Sequence, residues 1–220
     1  MTKQLAYFAD PMCSWCWRFS PVISRIVAAF SDEVPVRLVL GGLSPGTDRV
    51  LNDETKATIR EHWDHVHEAT DQPFDYGFFE RDGFVYDTQP ACQAVMTARR
   101  LDVGQALPFL AHLHGAFYRD NRDVTDNDTL FDVARDFGFE RDRFQAEYES
   151  LDAFGETRGD FLLSRQVGIT GFPALLAGEG GRYAPLCTGY RPWEPLETAI
   201  EQWLDGKLEV KTGPATEPPA

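Results

Sequence analysis

The order of apolar and polar residues predicts an α/β protein with a large inserted helical subdomain. Residues 5–40 follow a strand, helix and strand pattern, and residues 172–187 contain two short apolar runs joined by glycines. Residues 43–167, which lie between these segments, show helical patterns and no convincing strand. The chain therefore predicts a βαβ unit and a β-hairpin that share one sheet, with helices inserted between them.

The βαβ unit begins with an apolar run of strand length at residues 5–9, which ends at the turn-forming pair Asp10-Pro11. The following apolar residues recur with the spacing of one helix face: Phe19, Val22, Ile23, Ile26, Val27 and Phe30. Pro21 lies inside this helix and is expected to kink it, because proline removes a backbone donor. Residues 36–40 then form a second strand, and the length of the connection fits a right-handed crossover between parallel strands.

The middle of the chain predicts a succession of helices. Their expected ranges are 53–70, 89–101, 105–119, 127–137, 140–151 and 156–167. Thr125 and Asp126 are suited to capping the fourth helix, and Gly138 is suited to ending it.

The last part of the chain predicts the hairpin and a final helix. Residues 172–177 and 183–187 form its strands, and residues 178–181 form the turn. Pro192 opens the last helix, and Gly206 terminates it. The apolar face of this helix consists of Trp193, Leu196, Ile200, Trp203 and Leu204.

These patterns predict a division of the chain into an α/β domain and an insertion. Residues 1–42 and 168–207 form the α/β domain, and residues 43–167 form the helical subdomain. The proline-bearing tail, residues 208–220, is expected to be disordered.

The charge balance narrows the partners of the protein. The 220 residues include 21 Lys and Arg against 35 Asp and Glu, which gives a net charge of −14. Binding to nucleic acid or to an anionic membrane surface would start from repulsion, so neither is expected.

No apolar run approaches the roughly 18 residues of a membrane helix, and the first residues lack the apolar region of a signal peptide. The sequence therefore predicts a cytoplasmic protein.

Two of the four cysteines, Cys13 and Cys16, stand three residues apart at the predicted start of the first helix. They share a helix face, so a reversible disulfide between them is possible. The helix N-terminus stabilises a thiolate at Cys13, the expected nucleophile, and Cys16 is expected to be less exposed and to attack a mixed disulfide at Cys13. A zinc site would need about four ligands, and the sequence has no second close pair of cysteines. Haem attachment would need a histidine directly after Cys16, where Trp17 stands. Redox chemistry is favoured, with metal binding or inert packing as alternatives.

Three segments resemble the DsbA family of the thioredoxin-fold superfamily. They are residues 10–17 (Asp-Pro-Met-Cys-Ser-Trp-Cys-Trp), residues 41–43 (Gly-Gly-Leu) and residues 168–173 (Gly-Ile-Thr-Gly-Phe-Pro). The signal-less branch that includes FrnE-like disulfide isomerases is the most similar. The resemblance implies a thioredoxin fold, βαβ then ββα, in which a cis Pro173 lies beside Cys13. Without this resemblance, we would expect Pro173 to be trans and to begin the strand.

The resemblance also implies a function. It implies a thiol-disulfide oxidoreductase or isomerase with Cys13 and Cys16 as catalytic residues, and with Phe172 and Pro173 in contact with the client. Trp15 is expected either to present an apolar surface to the client or to pack under the insertion. No metal or cofactor is implied, the clients are proteins or peptides with thiols or disulfides, and glutathione or another thiol is the expected electron partner.

The sequence departs from DsbA proper in ways that leave the direction of catalysis open. Ser14-Trp15 replaces the usual Pro-His between the cysteines, so the unusually acidic thiol of that oxidant does not carry over. The carboxylate of Asp10 opposes a negative charge on the nearby sulfur.

Two other functions remain open from the sequence. One is a glutathione-dependent isomerase of the 2-hydroxychromene-2-carboxylate type, although such enzymes usually have a single serine at the thiol position. The other is a non-catalytic peptide-binding module that uses an apolar rim around Trp15.

The remaining candidate residues favour structural roles. His62 and His65 are expected on a polar helix face, Cys92 and Cys187 are expected to be buried small residues, and His114 is expected on a helix surface or in the core.

Overall fold

The computed structural model describes residues 3–70 and 72–208. The predicted disordered tail, apart from Leu208, lies outside these residues. The strands are β1 Lys3–Ala9, β2 Val36–Leu40, β3 Ala174–Glu179 and β4 Arg182–Thr188. The α-helices are α1 Ser14–Phe30, α2 Asp53–Ala69, α3 Gln89–Leu101, α4 Ala106–Tyr118, α5 Asn127–Phe137, α6 Arg141–Tyr148, α7 Leu151–Gln166 and α8 Trp193–Leu204. Short 3₁₀ helices span Tyr76–Glu80 and Val103–Gln105.

The four strands form one sheet in the order β2-β1-β3-β4. β1 pairs with β2 in parallel and with β3 in the antiparallel sense, and β3 and β4 form the hairpin. This topology confirms the predicted βαβ unit followed by a ββα unit. Helix α1 continues through Pro21, which lies inside it.

The bounds of the hairpin and of helices α6 and α7 differ from the prediction. β3 begins at Ala174 rather than at Phe172, because Pro173 has no N–H to contribute to the ladder, and the hairpin turn is confined to Gly180 and Gly181, both with positive φ. Helix α6 ends early, at Tyr148, and α7 begins at Leu151 rather than at 156. Ser150 caps α7 by accepting from the backbone N–H of Ala153 at 3.0 Å.

The helices between β2 and β3 pack on one another and on the βαβ unit. α4 contacts α1, and α7 contacts β2. Their core contains an aromatic cluster around Trp63, which is 1% exposed. The rings around Trp63 are those of Phe74, Tyr76, Phe78, Phe79, Phe117 and Tyr118. The division of the chain into two domains stays a prediction.

Side chains of α3 and α7 occupy the outer edge of β2. The backbone N–H of Leu40 donates to Oδ2 of Asp160 at 3.0 Å, and Nη1 of Arg99 donates to the carbonyl of Leu38 at 3.0 Å. The same Arg99 nitrogen lies 3.0 Å from Oδ2 of Asp160, so an ion pair runs along the edge. Asp160 is 5% exposed in its side chain, and Arg99 is 20% exposed.

Among the described helices, none combines the length and the apolar composition that crossing a bilayer requires.

Candidate active site at the Cys13 and Cys16 pair

Cys13 is the N-cap residue of α1, with extended backbone dihedrals. Its carbonyl accepts from the backbone N–H groups of Cys16 at 2.9 Å and Trp17 at 3.1 Å, while its side chain makes no capping hydrogen bond. The sulfur therefore lies at the helix end where backbone N–H groups and the helix dipole favour negative charge. No acidic residue lies in the first turn of α1 to oppose this effect.

The segment before β3 brings a backbone carbonyl to this sulfur. The Phe172–Pro173 peptide bond is cis, as the resemblance implies. The Cys13 thiol donates to the carbonyl of Phe172, with 3.4 Å between sulfur and oxygen. Gly41 permits this arrangement, because a Cβ there would come within 2.1 Å of the Phe172 ring. Cys13 and Phe172 are thus held against each other although 159 residues separate them.

The exposure of the two cysteines follows the predicted order. Cys13 is 6% exposed and Cys16 is 0% exposed, and both are free thiols. Cys13 is itself buried, because the Phe172 carbonyl lies against its sulfur. The preceding loop is also covered, since the Tyr86 hydroxyl donates to the carbonyl of Met12.

Cys16 is a fully buried thiol. Burial raises the pKa of Cys16 well above its usual range, and the hydrogen bond and charge of the neighbouring Cys13 raise it further. A backbone hydrogen bond from Asp10 acts in the opposite direction. The Cys16 thiol therefore keeps its proton at neutral pH unless a donor stabilises its thiolate.

Asp10, in the loop before the pair, is fully buried. Its carboxylate accepts from the backbone N–H groups of Met12 at 2.8 Å and Leu43 at 2.7 Å. The Cys92 thiol, from α3, lies 3.5 Å from Oδ2 of Asp10. Burial raises the pKa of Asp10, and the two backbone N–H bonds oppose this rise. The carboxylate thus organises the loop that carries Cys13.

His114 of α4 ties the same loop to α1. Its Nε2 lies 3.2 Å from the carbonyl of Asp10, and its Nδ1 lies 3.1 Å from Oγ of Ser20. A carbonyl only accepts, so Nε2 donates to Asp10, and Nδ1 accepts from Ser20. Burial lowers the pKa of His114 to about 4, so the ring is neutral at physiological pH. His114 is a satisfied core residue, one of the two roles predicted for it.

A family model decides what kind of protein carries this site. The model of the DSBA-like thioredoxin domain matches residues 4–201. The chain belongs to the DSBA-like thioredoxin domain family.

Solved structures similar to this DSBA-like domain come from several bacteria. A candidate protein disulfide isomerase from Nitrosomonas europaea is 38% identical, with a TM-score of 0.88, over 94% of this chain and 99% of that one. The cytosolic disulfide reductase DsbM from Pseudomonas aeruginosa is 26% identical, with a TM-score of 0.75, over 92% of this chain and 98% of that one. A further structure holds DsbM with GSH. These structures share the DSBA-like fold of this chain.

A more distant sequence relative carries another description. The ClpXP adapter protein SpxH of Bacillus subtilis is 19% identical over 173 residues, which are 78% of this chain. The DSBA-like domain spans 57% of the length of that relative.

The two tryptophans next to the cysteines, Trp15 and Trp17, differ in their exposure. Trp15 is half-buried, with the Arg18 guanidinium 5.4 Å from its ring centre. Trp17 is buried and stacks on Tyr118 of the insertion at 6.3 Å. Of these two side chains, Trp15 is thus the one that solvent partly reaches.

The other candidate residues lie away from the pair or within the core. His62 and His65 are exposed on α2, and among the described residues no group of three or more His, Cys, Asp or Glu is arranged for a metal ion. Cys187 is buried in β4, and burial raises the pKa of Cys187 to about 11. Both cysteines outside the pair are buried, as predicted, but Cys92 also contacts Asp10.

The DSBA-like domain therefore combines three chemical groups at one point. A thiol lies at a helix N-terminus, a second thiol lies one turn further in, and a backbone carbonyl from the segment before β3 faces the first. These groups suit exchange between a thiol and a disulfide on an extended peptide.

Proposed function

We propose that this protein exchanges thiols and disulfides with client proteins through Cys13 and Cys16, by way of a mixed disulfide at Cys13. One observation carries this proposal. The Cys13 sulfur lies both at the N-terminus of α1 and 3.4 Å from the carbonyl of Phe172. The first position offers backbone N–H groups to the negative charge that the sulfur carries during exchange, and the second places a peptide edge where a client strand can run beside the sulfur.

The proposed reduction of a client proceeds in two exchanges. The Cys13 thiolate attacks one sulfur of the client disulfide, and the other client sulfur leaves as a thiolate. Cys16 then attacks the Cys13 sulfur, the bond from Cys13 to the client breaks, and a Cys13–Cys16 disulfide forms. The client gains two electrons and the cysteine pair loses two. The half-exposed ring of Trp15 and the backbone of Phe172 and Pro173 hold the client during both steps.

The proposed direction is reductive, with glutathione restoring the dithiol in the cytoplasm. Two observations support it. The similar DsbM is described as a cytosolic disulfide reductase and has a structure with GSH. In this chain, burial opposes a thiolate at Cys16, and an oxidant of the DsbA type depends instead on stabilisation of its reduced form.

Insulin reduction with glutathione as the electron source tests the proposal. Cys13→Ser is expected to abolish catalysis, since no other described thiol lies beside Phe172. Cys16→Ser is expected to accumulate a covalent client adduct on a non-reducing gel, because the mixed disulfide is no longer resolved. Cys187→Ser, which removes a buried thiol of β4, is the matched control and keeps the wild-type rate. A wild-type rate in Cys13→Ser would refute the proposal.

A second candidate function is client binding without redox chemistry. The similarity to the adapter SpxH and the half-exposed Trp15 favour it. It predicts that alkylation of Cys13 leaves client affinity unchanged and that Trp15→Ala lowers it.

A further inference from the structure

Tyr7 lies at the centre of the sheet with an unusual hydroxyl. In β1 it pairs with Leu38 of β2 and with Leu175 of β3, and it is 0% exposed. Its hydroxyl makes no well-aligned hydrogen bond to any of the residues that the structure describes. Buried hydroxyls without a partner are uncommon in proteins, so this one calls for an explanation.

The first turns of α1 cover the Tyr7 side chain. The Tyr7 and Phe19 rings lie 5.6 Å apart, and Cys16 stands three residues before Phe19 on the same buried helix face. Burial raises the pKa of Tyr7 well above its usual range, and the neighbouring Cys16 and Cys13 raise it further. The Tyr7 hydroxyl thus keeps its proton, and its side-chain interaction with the Cys16 thiol places it beside that sulfur.

Resolution of a mixed disulfide requires negative charge on this buried sulfur. Negative charge develops on the Cys16 sulfur as it gives up its proton during the attack on Cys13, and burial opposes that charge. The backbone N–H of Asp10 is one donor to the Cys16 sulfur. A thiolate accepts more than one hydrogen bond, and a charged acceptor strengthens each of them.

We propose that Tyr7 is the positioning residue for Cys16, whose thiolate accepts a hydrogen bond from the Tyr7 hydroxyl. The inference rests on the proposed function and deepens it. The Cys16 proton passes to the departing client sulfur as the Cys13–Cys16 bond forms and the bond from Cys13 to the client breaks. Tyr7 transfers no proton and no electron. Its hydroxyl makes no well-aligned hydrogen bond in the dithiol form and makes one as charge develops on Cys16.

Other titratable groups lie around Tyr7, the cysteine pair and the loop before it. They are Cys13 at the start of α1, Asp10 in the preceding loop, Cys187 on β4, Tyr86 before α3, and His114 and Tyr118 on α4. The neutral His114 contacts the backbone of Asp10 rather than the Cys16 sulfur. All of these groups are retained in the Tyr7→Phe variant, so a change in that variant reports the Tyr7 hydroxyl.

The test follows the reaction with 5,5′-dithiobis(2-nitrobenzoate), which releases one thionitrobenzoate when Cys13 attacks and a second when Cys16 closes the disulfide. Tyr7→Phe is expected to leave the first release unchanged. It is expected to slow the second by about tenfold at pH 7 and to move its pH midpoint upward. Tyr148→Phe is the matched control, because it removes a buried hydroxyl bonded to Asn127 in the insertion. It keeps both phases.

A second variant covers the case in which Tyr7→Phe does not fold. Placing 3-fluorotyrosine at position 7 keeps the shape of the side chain and makes the hydroxyl a stronger donor. The pH midpoint of the second release is expected to move downward. An unchanged second phase in either folded variant would overturn the role of Tyr7 while leaving the exchange reaction intact. Absence of a second release from the wild-type protein would instead refute the proposed function.

Discussion

Acidification is expected to destabilise the protein through His114. Its pKa is about 4 in the folded chain against an ordinary value of 6.5, because burial penalises the imidazolium. Between these values the unfolded state binds more protons. The stability that the neutral ring contributes is therefore fully present above pH 6.5 and is lost as the pH falls towards 4. A difference of about 2.5 pKa units corresponds to roughly 3 kcal/mol of unfolding free energy at most.

Urea denaturation at pH 7.0 and pH 4.5, followed by tryptophan fluorescence, measures this effect. His114→Gln keeps a donor for the carbonyl of Asp10 and removes the titrating ring. The unfolding free energy of the wild-type protein is expected to fall by roughly 2 kcal/mol more than that of the variant between these two pH values. The raised pKa of Asp10 acts in the opposite sense and is present in both proteins, so it cancels in the comparison. Equal losses in the two proteins would refute the burial argument.

Three further substitutions test the packing around the site. Gly41→Ala forces a methyl group into the Phe172 ring; it is expected to cost about 1–3 kcal/mol in urea denaturation and to slow insulin reduction, and an unchanged rate would contradict the role of this contact. Arg99→Met strands the buried carboxylate of Asp160 and is expected to cost about 3 kcal/mol, whereas the double variant with Asp160→Leu should recover part of that loss. Trp63→Ala empties the aromatic cluster and is expected to cost about 3–5 kcal/mol; a loss below 1 kcal/mol would show that the cluster collapses around the gap.

Local patterns of the sequence were sufficient to predict most of the fold. The apolar face of α1, the short strands and the glycine-rich turn follow from periodicity and turn chemistry, which depend on neighbouring residues alone. The start of α7 was missed because Gly155 and Gly159 lower its helical signal, although Ser150 is a good N-cap.

The pairing of Cys13 with the segment at Phe172 came from a family resemblance rather than from periodicity. Contacts between distant residues leave little local trace, and the support around the pair shows this clearly. His114 and Cys92 have ordinary positions on helical patterns, yet the fold carries both to Asp10. Tyr7 contributes to a strand pattern as an apolar residue, and the sequence does not show where its hydroxyl lies. The position of Asp10 between a buried strand and the cysteine pair was the sequence signal for these contacts, because a carboxylate that becomes buried there needs hydrogen-bond donors from other segments.

The outer edge of β2 has a consequence for the behaviour of the protein in a crowded solution. An open edge strand is a template on which another chain can add its own strand, and this is a common route to aggregation. Here Asp160 and Arg99 already occupy the groups of Leu40 and Leu38 that such a strand would use. The ion pair therefore blocks pairing with a strand of another molecule at this edge. We expect its loss to increase aggregation, measured as turbidity, before it changes the rate of insulin reduction.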